Sequence, residues 1–160
     1  MSPMLRPALL AVLPVLACAT MPPPMPVPPR LRATGTFEVK PTSQAAYDTR
    51  PGAALGRTTL EKTFQGGLAA RSQVEMLGAM TEVKGSAGYV AMERVEGTLE
   101  GKAGSFVLLQ RGTMDRGAME LQVTVVPDSA TGDLVGLRGA MSIDIVEGQH
   151  RYALEYWFQR

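Results

Sequence analysis

Residues 137–159 read LRGAMSIDIVEGQHRYALEYWFQ, and this stretch decides the fold class. Apolar and polar side chains alternate in its first half, where Met141, Ile143 and Ile145 share one parity. The alternation resumes at His150, after a turn that contains glycine. Because a period of two is typical of strands with one buried face, the stretch predicts an antiparallel β-hairpin.

The same pattern recurs upstream, where short alternating runs rich in Val, Thr, Phe, Tyr and Leu are separated by glycine-bearing turns. We predict eight strands, at residues 34–39, 58–65, 68–80, 89–99, 105–113, 119–126, 137–146 and 150–159. Eight strands joined in sequence by short turns favour an all-β fold, a single antiparallel up-and-down β-barrel whose closure removes exposed edges. An open two-sheet sandwich is the alternative.

The amino-terminal part of the chain has a different composition, with nine of the 12 prolines in residues 1–29. Residues 1–17 have the pattern of a signal peptide, because one positive charge, Arg6, precedes a short apolar run. The segment VLAC, which ends at Cys18, resembles the lipobox of bacterial lipoproteins. That resemblance implies cleavage before Cys18 and a lipid attached to it.

Residues 18–32 form a proline-rich segment, which favours an extended polyproline II tether ahead of a barrel domain at residues 33–160. We therefore predict an exported protein that is anchored as a lipoprotein in the bacterial cell envelope. The alternative is ordinary signal-peptide cleavage around Cys18, which would leave a soluble secreted or periplasmic protein.

The predicted barrel domain is nearly neutral, since residues 33–160 contain 13 basic and 15 acidic residues. This balance predicts no nucleic-acid partner and no membrane contact other than the lipid anchor. One histidine and one cysteine are too few for a zinc-type metal site, and we expect no cofactor. By analogy with similar folds, a homo-oligomer is compatible with such a barrel.

Five residues are candidates for contact with a ligand inside the barrel. His150 has the same strand parity as Tyr152 and Tyr156, which would place an imidazole beside two phenols if that face is the interior. Tyr89 and Glu93 share parity on another strand, and a buried carboxylate would be a functional candidate. Parity does not say which face is inside, so the alternatives are a structural histidine at the barrel rim and a solvated Glu93.

Methionine is frequent in the predicted strands, and its flexible side chain fills irregular gaps in apolar cores. We predict that six of the ten methionines are core residues of the barrel. They are Met76, Met80, Met92, Met114, Met119 and Met141. Walls rich in methionine also suit adaptable binding of apolar ligands.

Several motifs resemble a bacterial family of unknown function, DUF3224, over about residues 33–159. They are KGSAGYVAMERVEGTLEG at 84–101, GSFVL at 104–108, GTM at 112–114, VVPDSATGDLVGL at 125–137 and HRY at 150–152. The resemblance implies a barrel similar to that of allene oxide cyclase, with the calycin-like shape of lipocalins, and it implies no activity. The family commonly has a histidine at the position of Gln110, so a reaction dependent on that histidine is not expected in this protein.

No recognisable catalytic constellation accompanies these features, and the catalytic residues, if any, are not indicated. We therefore interpret the protein as an exported small β-barrel that binds a small apolar molecule. One alternative is a cyclase or isomerase that acts by holding a reactive substrate in a folded shape. Another is a purely structural barrel with a packed interior.

Overall fold

Eight antiparallel strands pair in chain order, and β1 pairs with both β2 and β8 to close a barrel. This arrangement was obtained from a computed structural model that describes residues 28–159. The strands are β1 (Leu31–Ser43), β2 (Ala53–Gly66), β3 (Leu68–Thr81), β4 (Ala87–Leu99), β5 (Lys102–Asp115), β6 (Ala118–Val125), β7 (Leu137–Val146) and β8 (Gln149–Phe158). The predicted all-β, eight-stranded, up-and-down barrel is confirmed, and the open sandwich is excluded.

The first strand is longer than predicted at both ends. It begins at Leu31, which pairs with Tyr156 of β8, so the last two residues assigned to the tether belong to the barrel. The strand runs on to Ser43, since its ladder with β2 continues to Thr58. The predicted signal peptide, Cys18 and the tether up to residue 27 lie outside the described residues.

Burial identifies the inner face of each strand. On β8, the face that carries the candidate tyrosines is the interior, with Tyr152, Leu154 and Tyr156 buried in the core. On β4, Ala91 and Val95 are buried, while their outward neighbours are exposed. The side chains of one parity therefore fill the barrel, as the alternation predicts.

The two ends of the barrel differ. At the first end, where β1 begins and β8 ends, Leu68, Leu99 and Phe106 are fully buried. Leu134, from a 3-10 helix (Gly132–Leu134) between β6 and β7, joins the same core cluster and closes this end. At the second end, where β1 ends and β8 begins, the side chains are less buried. Within residues 28–159, the second end is therefore the one that is open enough to admit a ligand.

Among the described residues, the ladder between β6 and β7 is the shortest in the barrel. In the described part of the chain, the ladder of these strands consists of one pair, Thr124 with Ala140, whereas every other neighbouring pair shares at least seven residues. Toward the second end, β6 therefore has no ladder partner on its β7 side.

No helix within residues 28–159 is both long enough and apolar enough to cross a membrane.

Candidate functional site

A cavity of about 330 Å³ lies at the second end of the barrel. Its wall is formed by strands β2 to β6, and two residues of the β1–β2 connection, Gln44 and Ala46, stand at its entrance. Most of the wall side chains are small or apolar, among them Ala54, Met76 and Leu121. Such a cavity favours a ligand whose surface is largely apolar.

Three inward positions at one level of the cavity wall are glycine. In the strand register, Gly56 lies beside Gly78, Gly78 beside Tyr89, Tyr89 beside Gly112, and Gly112 beside Leu121. A Cβ atom added at Gly56 would meet no atom within 4 Å, so this position faces open space. A Cβ added at Gly112 would lie 2.2 Å from a ring carbon of Tyr89, so the Tyr89 ring occupies the room above that glycine.

Methionine forms the rim of the cavity rather than the core. The next register row toward the open end consists of Ala54, Met80, Ala87, Met114 and Met119. Met80 and Met119 are 67% and 61% exposed, respectively. Their exposure follows from the open end, where no opposing side chains cover the inner face of the strands.

The prediction that six methionines are core residues is therefore wrong for most of them. Only Met141 is buried in the core, because β7 places it among the packed side chains of the barrel. Met76 and Met114 are half-buried in the cavity wall, and Met92 is exposed on the outer face of β4. Met80 and Met119 reach the open end of the barrel, where they border the cavity.

The barrel contains a buried polar cluster centred on Glu93, which we call the Glu93 cluster. Glu93 is completely buried, and its Oε2 atom lies 2.8 Å from Lys62 Nζ and also accepts a hydrogen bond from the Gln110 side-chain amide. Ser72 Oγ donates to Glu93 Oε1 at 2.5 Å. The expectation of a solvated Glu93 is thus wrong, because the parity that it shares with Tyr89 faces the interior.

The Glu93 cluster satisfies its own charges and hydrogen bonds. Both Glu93 oxygens have donors, and Lys62 Nζ lies above the rings of Phe37 and Phe64, at 5.1 and 5.9 Å from the ring centroids. Every buried side-chain nitrogen and oxygen among the described residues has a partner. These contacts make the cluster a polar layer of the barrel interior.

Gln110 occupies a central position in this layer. It is buried on β5 and faces Ala91 of β4, so its amide reaches the Glu93 carboxylate from the neighbouring strand. This position therefore lies in the centre of the barrel interior. In this protein it carries an amide, which donates a hydrogen bond and does not titrate.

Tyr89 is the one sequence-predicted candidate that lines the cavity. Among the described residues, its hydroxyl has no protein hydrogen-bond partner, whereas the phenol of Tyr152 has several. Burial raises the pKa of Tyr89 above its ordinary value, and the negative charge of Glu93 raises it further. The group thus remains a neutral hydrogen-bond donor at physiological pH.

Tyr152 and Tyr156 lie in the packed first end and do not line the cavity. The Tyr152 hydroxyl accepts a hydrogen bond from the Leu68 backbone N–H at 2.8 Å and donates to the Gln65 carbonyl at 3.2 Å. Burial raises the pKa of both phenols, and the charge of Glu100 adds to this effect. The hydrogen bonds of the Tyr152 hydroxyl therefore connect the β2–β3 turn to β8.

Replacing Tyr152 by phenylalanine is expected to lower the free energy of unfolding by about 1–3 kcal/mol, because the buried Leu68 N–H loses its acceptor. Urea denaturation followed by circular dichroism measures the change. Tyr47→Phe is the matched control, since Tyr47 is exposed in the β1–β2 connection and its stability should not change measurably. Equal stabilities for the two variants would contradict the role of the Tyr152 hydroxyl.

His150 is separated from the other candidates as well. It is half-buried near the second end, where its ring centroid lies 5.0 Å from that of Phe37. It borders a shallow polar groove with Glu38 and Gln149, and it does not line the apolar cavity. The structure therefore places Tyr89 at the cavity, Glu93 in the polar layer and the other three candidates elsewhere.

Metal-binding side chains do not converge in the described residues, since no group of three or more His, Cys, Asp or Glu residues is suitably placed between positions 28 and 159. Glu93 has lysine, serine and glutamine as neighbours, which are donors toward its carboxylate. The interior thus contains a hydrogen-bonded polar layer beneath an apolar cavity.

Fold and site together define a closed eight-stranded antiparallel barrel with an apolar cavity at one end. The chain belongs to the DUF3224 family, described as a protein of unknown function, whose model matches residues 33–156. It is similar to a crystallised protein of unknown function from the same family in Shewanella oneidensis MR-1, with 51% identity and a TM-score of 0.79. The similarity covers 82% of this chain and 99% of that one. No curated protein matches the chain.

Sequence reasoning missed Lys62 and Ser72 in the Glu93 cluster and the three glycines of the cavity wall. Lys62 carries a usable signal, because it has the parity of Phe64 on β2 and therefore interrupts an inward apolar face. The glycines resemble ordinary turn or strand glycines, and their alignment appears only in the strand register.

Proposed function

We propose that this protein binds a small, largely apolar molecule in the cavity at the second end of the barrel. The observation that carries the proposal is the register row in which Gly56 faces open space, Gly78 has no side chain, and Gly112 makes room for the Tyr89 ring. The flexible methionines at the rim suit ligands of varied shape. A purely structural barrel would be expected to fill these positions with side chains.

The binding role is better supported than a cyclase or isomerase reaction. Glu93 is a buried carboxylate on the same strand as Tyr89, the tyrosine that lines the cavity. Both oxygens of Glu93 already accept hydrogen bonds, which come from Lys62, Ser72 and Gln110. A general base must reach the proton that it removes, within hydrogen-bond distance or through one water. The Glu93 cluster is arranged to neutralise a charge rather than to present one.

We also propose, as the family resemblance implies, that this barrel is similar to that of allene oxide cyclase and to calycin-like barrels. An eight-stranded barrel has an interior just wide enough to be filled by side chains or to hold one small ligand. Here the packed first end follows the former arrangement, and the second end has room for the latter.

Titration with N-phenyl-1-naphthylamine, a neutral apolar fluorophore, tests the proposal directly. We expect saturable fluorescence enhancement with one site per chain, and displacement by molecules extracted from the protein purified from its native host. Mass spectrometry of such an extract identifies a retained molecule. Non-saturable enhancement, with no molecule retained, would contradict ligand binding.

We also propose export and lipid anchoring through Cys18, on the basis of the amino-terminal sequence. β1 begins at the first end of the barrel, where the Arg30 guanidinium lies 4.6 Å from the centroid of the Trp157 ring. A tether that enters there attaches to the end opposite the cavity, so an anchored barrel keeps its entrance accessible. Labelling cells with radioactive palmitate tests this, and label that persists in Cys18→Ala would contradict it.

A further inference from the structure

We propose that the ligand is an uncharged apolar molecule with a hydrogen-bond acceptor oxygen, such as a ketone, an aldehyde or an ester, and that Tyr89 donates to that oxygen. This inference rests on the proposed function and specifies the chemical class of its ligand. It follows from the orientation and the hydrogen-bond partners of each polar side chain in the cavity wall.

The other polar side chains of the cavity wall are hydrogen-bonded, have the outward parity of their strands, or are exposed at the entrance. Arg57 and Thr113 have the outward parity of their strands, and Arg57 forms an ion pair with Glu75 on the outer surface. The Thr58 hydroxyl lies 3.4 Å from that of Ser43, within hydrogen-bond distance. Gln44 is exposed in the connection at the entrance.

Tyr89 differs from these groups, because its hydroxyl lacks a protein partner among the described residues. Since every buried side-chain polar atom of the described residues has a partner, the Tyr89 hydroxyl must be accessible to water in the cavity. An apolar ligand that displaces this water leaves the phenol unpaired, whereas a ligand oxygen that accepts its hydrogen bond keeps it satisfied and gains affinity. The phenol remains protonated, since burial and the charge of Glu93 both raise its pKa. It therefore acts as a donor and selects an acceptor.

The backbone holds the Tyr89 ring in place. Gly112 and Gly78 flank Tyr89 on the neighbouring strands, and the ring lies so close to Gly112 that a Cβ atom there would clash with three of its carbons, at 2.2 to 2.9 Å. A ring packed on backbone loses little conformational freedom when a ligand binds. The position of the donor is thus set before the ligand arrives.

The charges around the cavity exclude an anionic ligand. Lys62, the buried cation of the barrel interior, is already paired with Glu93, and Arg57 is paired on the outside. A ligand carboxylate in the cavity would lose its hydration without gaining a cationic partner, and it would share the interior with the carboxylate of Glu93. The selected molecule is therefore neutral.

Displacement of N-phenyl-1-naphthylamine by acetophenone, ethylbenzene and benzoate tests this inference. Acetophenone and ethylbenzene have the same carbon skeleton and differ in the carbonyl oxygen, and benzoate adds a negative charge. We expect Tyr89→Phe to weaken acetophenone binding about twofold to tenfold, which corresponds to the loss of one hydrogen bond. Ethylbenzene affinity should stay within about twofold, and benzoate should not compete at pH 7.

Tyr47→Phe is the control, because it removes an exposed phenol outside the cavity and should change neither affinity. Thermal unfolding of each variant verifies that the barrel is intact. If Tyr89→Phe weakens both neutral ligands equally, or neither, or if benzoate competes as well as acetophenone, the assigned ligand class is wrong while the cavity still binds apolar molecules. If neither neutral ligand displaces a fluorophore that binds saturably, the assigned ligand class is also wrong, whereas non-saturable binding of the fluorophore itself contradicts the proposed function.

Discussion

Replacing Lys62 by methionine is expected to lower the free energy of unfolding by about 3–5 kcal/mol, because it leaves the charge of Glu93 buried without a cation. Glu93 has no exposed surface, so water cannot replace the missing partner. Methionine has nearly the shape of the lysine stem and keeps its contacts with Phe37 and Phe64. The change therefore isolates the loss of the charge. Urea denaturation followed by circular dichroism measures it.

Arg57→Met is the matched control, since it breaks the Arg57–Glu75 ion pair, which has a similar distance of 2.8 Å but lies on the surface. An exposed pair contributes about 0–1 kcal/mol, so this variant should remain close to the parent in stability. The double variant Lys62→Met/Glu93→Gln removes both buried charges and should recover part of the loss. If Lys62→Met costs no more than Arg57→Met, the buried pair does not have the role assigned to it.

Replacing Gly56 by leucine is expected to weaken binding of N-phenyl-1-naphthylamine by at least fivefold and up to about 150-fold, which corresponds to 1–3 kcal/mol of overpacking against the ligand. A Cβ atom at Gly56 meets nothing within 4 Å, and the residue does not have a positive φ. The new side chain therefore enters the cavity without straining the barrel. Because glycine weakens a strand by about 0.5–1 kcal/mol relative to alanine, stability should be unchanged or higher.

Ala69→Leu is the corresponding control, because Ala69 is exposed on the outer face of β3 and outside the cavity wall. It adds a side chain of similar size and should leave fluorophore binding as it is in the parent. Loss of binding in Gly56→Leu, with parental affinity in Ala69→Leu, locates the ligand in the cavity. Equal affinity in all three proteins would place the fluorophore elsewhere on the surface.

The strand pattern was predictable because it is local. The alternation of residues 137–159 and the glycine at the turn identify the β7–β8 hairpin to within a residue, and the other strands follow in the same way. Strand ends were less accurate, as the extension of β1 to Leu31 and Ser43 illustrates. Those ends depend on pairing with β8 and β2, which the local sequence does not report.

The candidate site was only partly predictable. Tyr89 and Glu93 emerged as a pair from parity alone, and both face the interior. His150 and Tyr152 also face inward, but the former lies near the rim of the barrel and the latter in the packed end. Parity specifies a face of a strand, and it does not specify the height at which a residue sits in the closed barrel.

Short-range patterns in the sequence by themselves determine that this chain forms antiparallel strands, because the backbone exposes alternate side chains to opposite faces. Only the tertiary structure decides that Gly56, Gly78 and Gly112 meet at one level, since they come from three different strands. The same holds for Lys62 and Glu93, which are 31 residues apart in the chain and 2.8 Å apart in the barrel. Register is a long-range property, and here the register creates both the cavity and the polar layer beneath it.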